Sequence, residues 1–277
     1  MTGGKDPRTD VNFGDKRMAR KGKEVTAPAG TDVAERPDYM GDQERGSEKV
    51  TINDLTIPRL SMIQDLSPQR KQNKPEYIEG AEEGMLFNTV TNELYSDFVL
   101  FVPVYFRLEW VVWKHRDAGG GFLGAFAAQD EAVDFVASHP LAGQETEKGD
   151  PVLDVQDTAQ HFGLLLDPNS SLEDPRAAEI VISMSRSQLK PSRQFNSQIK
   201  LAGGDRWERY YKLEAVTVEG GKGDYFNWKV QQLGFVSEAV YKQAETLYEA
   251  VKAGQRDVDR GDPKPEQDTS GADDEKM

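Results

Sequence analysis

The sequence predicts an α+β fold built around an antiparallel β-barrel, with peripheral helices and disordered termini. Three observations predict it. Apolar residues alternate at period two across residues 98–113, two further alternating runs flank a glycine-rich turn at 219–223, and two amphipathic helical patterns follow residue 187 and Ser237.

The first run carries Phe98, Leu100, Val102, Val104, Phe106, Leu108, Trp110 and Val112 at its even positions, an unbroken apolar face. A strand this long bends across a barrel or sandwich, and Pro103 implies an edge or a bulge. Gly119, Gly120 and Gly121 turn the chain into a return strand at 122–126. Residues 129–138 read as a short helix and 140–158 as a polar, loop-like insertion. Strands are expected at 161–166, ended by Asp167-Pro168-Asn169, and at 179–185. A helix over 189–201 follows, with Ser187 as its cap, Pro191 in its first turn and Gly203-Gly204 as its stop. Residues 209–218 and 224–235 form a hairpin. Ser237 caps a last helix whose Val240, Ala244, Leu247 and Val251 share one face.

The ends differ in composition. Residues 1–48 are poor in large apolar groups, too poor to offset the entropy of ordering, and carry a basic run at 16–23. Residues 254–277 hold eight acids against four bases and no aromatic residue. The organisation is therefore a disordered segment at 1–48, a folded domain at 49–253 and an acidic tail at 254–277.

Cysteine is absent, which excludes a disulfide framework, a thiolate zinc site and a thiol nucleophile. No apolar run approaches the roughly 18 residues of a membrane helix, and the N-terminus lacks a signal-peptide core, so a cytoplasmic protein without membrane contact is expected. An enzyme is not expected either. His115, His139 and His161 lack metal-ligand spacing, no serine sits in a nucleophile elbow, and Gly119 to Gly121 lack the ending of a phosphate loop. Asp154, Asp157 and Asp167 as magnesium ligands of a nuclease form a third, weaker reading. No cofactor is implied.

Binding chemistry has more support. The formal charge is -14, yet residues 183–212 contain seven bases and two acids. On a helix Arg186, Lys190, Arg193 and Lys200 fall within about one quadrant, with Phe195, Ile199 and Ala202 on the other side. Arg206, Trp207, Arg209, Tyr210 and Tyr211 interleave basic and aromatic groups just beyond. On the odd face of the long strand Tyr105, Arg107 and Trp113 point away from the apolar side, and Lys114, His115 and Arg116 continue it. In the hairpin Phe226, Trp228 and Val230 read as core, which leaves Tyr225 and Lys229 on the opposite face. Basic groups track a phosphate backbone while rings stack on splayed bases, so these residues together suit a single strand. The same rings are also compatible with a face buried under a helix.

Ile57-Pro58-Arg59-Leu60, the stretch from Gly84 to Thr91 and the run from Val102-Pro103-Val104 to Glu109-Trp110 resemble replication-module proteins of tailed bacteriophages. So do the strand-to-basic-helix unit at 180–199 and Gly223-Asp224-Tyr225-Phe226-Asn227. The resemblance implies a single-stranded DNA-binding protein with an OB-like barrel and an acidic C-terminal tail, acting in DNA replication or recombination in the cytoplasm of an infected bacterium. It also implies replication proteins as partners of the tail, although this tail ends Glu275-Lys276-Met277 where such tails often end in an aromatic residue. Self-association is compatible with the sequence. The alternative is a phage structural or assembly protein whose basic helix meets another protein.

Overall fold

In a computed structural model the described residues are 46–50, 56–167, 176–221 and 223–258. The chain divides into two units, Met1–Lys49 and Val50–Met277. The basic run at 16–23 and the tail beyond residue 258 lie outside the described residues.

Three short strands, β1 (Leu60–Met62), β2 (Leu86–Asn88) and β3 (Leu94–Tyr95), make a small antiparallel sheet that the sequence pattern did not announce. The larger sheet begins with β4 (Val99–Lys114), followed by β5 (Gly121–Phe126), helix α1 (Gln129–Ser138), β6 (Leu153–Leu166) and β7 (Ala177–Ser185). Helix α2 (Leu189–Ala202) precedes the hairpin of β8 (Arg209–Val218) and β9 (Tyr225–Phe235), and helix α3 (Glu238–Lys252) ends the domain. The α+β class with antiparallel sheets is as expected. The strand path is β7-β6-β4-β8-β9, with β5 paired to β4 off that path. Among the described residues β7 and β9 are its two ends, and no pairing between them closes the sheet into a barrel.

Strand β4 is central. On one side it pairs with β6 from Leu100↔Leu166 to Lys114↔Leu153. On the other it pairs with β8 only at Val99 to Phe101 and with β5 only at Trp110 to Lys114. Pro103 thus sits at a bulge, and on a stretch of β4 that neither β8 nor β5 pairs: Pro103 faces Gly163, Tyr105 faces Phe162, and Val104 is the extra residue. A Cβ on Gly163 would lie 2.2 Å from the Val102 carbonyl oxygen and 2.4 Å from the Phe101 ring, so this close approach requires glycine.

The bulge corrects the expectation of one continuous even face. Before it, odd-numbered Phe101 joins the core under α2; after it, even-numbered Phe106 packs against that core while Tyr105 turns to the other. The insertion expected at 140–158 is corrected too, because β6 starts at Leu153.

Each face of the sheet carries a core. One joins Phe101, Ile180, Ile182, Met184, Tyr211, Leu213 and Trp228 to Leu189, Phe195 and Ile199 of α2, with Leu60 and Leu86 from the small sheet. Residues of both end strands meet in it, so the sheet curls around α2. The second joins Val102, Val104, Phe162, Leu164 and Val181 to Val240, Ala244, Leu247 and Val251 of α3. Ile57 and Val258 belong to this second core and bridge to each other, while Arg59 bridges to Val181. Residues 254–258, read from composition as the start of the tail, thus lie on the domain. Arg256 pairs with Glu179 at 2.6 Å and Asp257 with Arg107 at 2.5 Å.

Candidate nucleic-acid interface

Helix α2 buries Leu189, Ser192, Phe195 and Ile199 and exposes Lys190, Arg193 and Lys200. That division is what spacings of three and four residues produce on a helix. Its fourteen residues include no acid, so nothing within the helix neutralises the three cations. Arg186 stands just before it, in a single 3-10 turn, Arg186–Gln188. Its side chain is exposed and pairs with Asp154 of β6 at 2.5 Å. Its φ of 53° lies in the left-handed region, which residues with side chains rarely adopt. The four predicted cations therefore share one solvent-facing segment. Ser187 is not its cap: it lies inside the 3-10 turn, and α2 has no side-chain capping bond.

Beneath α2 lies a buried polar cluster. His161 of β6 is fully buried and bonds through Nε2 to Ser192 Oγ at 2.8 Å. Arg206 Nη2 donates to His161 Nδ1 at 3.1 Å and to Asn196 Oδ1 at 2.8 Å. A guanidinium only donates, so Nδ1 is the acceptor and Nε2 carries the imidazole proton. Burial, and then the Arg206 charge, hold the His161 pKa well below the usual histidine range. Burial also lowers Arg206, to about 10. Its guanidinium lies over the rings of Phe106 and Phe195 at 5.7 and 5.9 Å. Arg206 thus fixes α2 to β6 from below, which corrects its expected place on the binding surface.

Of the other expected contacts Trp207 is buried, while Tyr105, Arg107 and Arg209 are half-buried and engaged by neighbours. Trp207 is 7% exposed, with ring centroids 5.0 Å from Tyr248 and 5.9 Å from Tyr241. It packs on α3 because the chain leaves α2 on one side of the sheet and returns on the other. Tyr105 packs against Phe162 and Tyr248 at 6.3 and 6.0 Å, covered by α3. Arg107 is engaged by Glu109 at 2.6 Å and by Asp257. Arg209 donates to the Gly203 carbonyl at 2.9 Å, pairs with Glu208, and lies 4.7 Å over the Phe235 ring.

The remaining expected residues stay accessible in part. Trp113 is half-buried, edge-on to Phe122 of β5 at 5.7 Å. It sits opposite Asp154 in the β4–β6 register, so Asp154 links Trp113 to Arg186. Lys114 is half-buried and Arg116 exposed at the end of β4. Tyr225 is half-buried at the start of β9, and Lys229 is exposed and pairs with Glu214 at 2.6 Å. The sequence carries no sign of Phe122 as the ring beside Trp113. Asp154 it offered only as a metal ligand; among the described residues no group of His, Cys, Asp or Glu is arranged to hold a metal ion.

No curated protein and no solved structure matches the chain. A family model does: that of the Pam3 phage gp34-like protein matches residues 25–257, which takes in all three helices and both sheets. The chain belongs to this bacteriophage family.

Proposed function

We propose that the protein binds single-stranded DNA without sequence preference and without catalysis, in phage DNA replication or recombination. The observation that carries this reading is the segment of Arg186 and α2, where Arg186, Lys190, Arg193 and Lys200 are exposed in a chain of net charge -14. Isolated cations on an acidic protein attract a polyanion locally, whatever the total charge. Trp113, register partner of the Asp154 that pairs with Arg186, and Phe122 beside it offer half-buried rings for stacking.

An OB-like barrel is part of the proposal. Its five strands would be β4, β6, β7, β8 and β9, with α2 between the third and fourth. The order β7-β6-β4-β8-β9 leaves the third and fifth strands at the two ends, where closure of a five-stranded Greek-key barrel would join them. The acidic tail beyond residue 258 would recruit replication proteins in the cytoplasm of the infected host.

One observation favours the alternative of a phage assembly protein. Leu201, at the end of α2, is 89% exposed, and Phe235 is 71% exposed. Exposed large apolar groups beside a basic helix suit a protein partner. A gel shift on labelled oligo-dT with unlabelled competitor separates the two. Salt-sensitive binding supports the DNA reading, and no shift at low salt removes it.

A further inference from the structure

A cleft opens where the corner between β7 and α2 meets the start of β9. Arg186 and Gln188 form one wall, Tyr225 and Phe226 another, and Gln64 and Leu66 the third. Three segments far apart in the chain build it, and side chains tie them together. The Gln64 carboxamide accepts from the Phe226 N–H and donates to the Phe226 carbonyl, both at 2.9 Å. Asn227 Nδ2 donates to the Ser187 carbonyl at 3.2 Å. Behind it, a Cβ on Gly84 would come within 2.6 Å of the Phe226 ring, so that ring is held from the back. The walls are fixed before any ligand arrives, which lowers the entropy lost on binding.

The chemistry of the walls selects the ligand. Asp65 and Asp224 also line the cleft, and carboxylates repel a phosphate. The cations that suit phosphates stand outside it, on the exposed face of α2. Tyr225, Gln188 and Ser187 line it too, and an aromatic ring, a carboxamide and a hydroxyl match the flat face and the polar edge of a nucleobase. Arg186 stands at the boundary between these regions. Its backbone is held in the left-handed region, φ 53°, where glycine is the favoured residue. Among the described residues its side chain makes only an exposed pair with Asp154. Exposed pairs contribute little to stability, so the fold alone gives no reason for arginine here.

We infer that this cleft is a base-binding subsite for single-stranded DNA, in which one unstacked base lies against Tyr225 and Arg186 holds the adjoining phosphate. The inference rests on the single-strand reading above.

The test uses the full chain and an iodouracil-substituted oligo-dT, with photocrosslinking, peptide mapping and a salt series of affinities. In the unaltered protein the adduct is expected on the peptide carrying Tyr225. Tyr225→Leu should lose that adduct and weaken binding on the order of 5- to 150-fold, while Tyr225→Phe keeps both. Arg186→Gly is the second arm. It relieves the left-handed backbone, so its melting temperature should equal or exceed that of the unaltered protein while the log–log salt slope falls by about 0.7. A stable protein that binds less well cannot be explained by misfolding. If the unaltered protein binds oligo-dT but crosslinks elsewhere, and both Tyr225→Leu and Arg186→Gly bind as it does, the subsite is overturned and the single-strand reading stands. If the unaltered protein does not bind oligo-dT, that reading falls and the subsite with it.

Discussion

Helices α2 and α3 cover opposite faces of one sheet, and both are amphipathic, yet their outer faces differ. The outer side of α3 mixes signs, with Glu238, Lys242, Glu245, Glu249 and Lys252, and Lys242 is paired with Glu238 at 2.5 Å. The outer side of α2 carries Lys190, Arg193 and Lys200 and no acid. Their undersides differ too. Beneath α3 lie Val102, Val104, Tyr105 and Trp207, whereas α2 rests partly on the polar cluster of His161, Ser192, Asn196 and Arg206. Amphipathic spacing explains why each helix packs. It does not explain unbalanced charge, and the excess on α2 is what singles it out as the proposed binding face.

The comparison can be broken in the core, where effects are largest. Phe195 is fully buried, with ring centroids 5.0 Å from Tyr211 and 5.3 Å from His161. Phe195→Ala should destabilise the protein by about 3–5 kcal/mol, read by urea denaturation, and should weaken DNA binding as α2 loosens. Leu247→Ala under α3 should cost about 2–5 kcal/mol and leave affinity unchanged wherever the protein remains folded.

Acid should act on α2 through His161. Its pKa is depressed in the folded state, so above about 6.5 it is neutral whether folded or unfolded and causes no loss. As pH falls below that value the unfolded chain takes up a proton that the folded protein refuses. Stability should then drop by up to about 1.4 kcal/mol per pH unit until the folded pKa is reached. In His161→Gln this contribution should vanish, which denaturation curves between neutral and mildly acidic pH can measure.

The helix starts give a smaller contrast. Ser237 Oγ accepts from the Val240 N–H at 3.4 Å, so Ser237→Ala should cost about 1 kcal/mol. Ser187→Ala should change stability by no more than about 0.5 kcal/mol, because no capping bond is lost.

Local patterns made much of this legible. Helix α1 spans Gln129–Ser138 and β8 spans Arg209–Val218, both as their spacing predicts, and the buried face of α3 is the expected set of Val240, Ala244, Leu247 and Val251. What failed was non-local. Both faces of β4 are covered, so apolar residues continue through the bulge at Val104 and the period gives no sign of the change of face. The start of β6 reads as loop because Asp154, Gln156 and Asp157 are polar, yet its strand register is set by β4. Among the candidate site residues, the exposed cations of α2 follow from helix geometry alone. Trp207 and Arg206 do not: their burial depends on α3 and on His161, contacts between residues tens of positions apart.

The most direct measurement is the salt dependence of oligo-dT affinity for the unaltered protein and for Lys190→Ala/Arg193→Ala. Both residues are exposed, so stability should change by no more than about 0.5 kcal/mol per site. The log–log slope should fall by about 1.4, roughly 0.7 for each lost phosphate contact. The matching change on the other helix, Lys242→Ala/Lys252→Ala, should leave the slope as it was. An equal slope in the unaltered protein and the α2 variant would contradict the account.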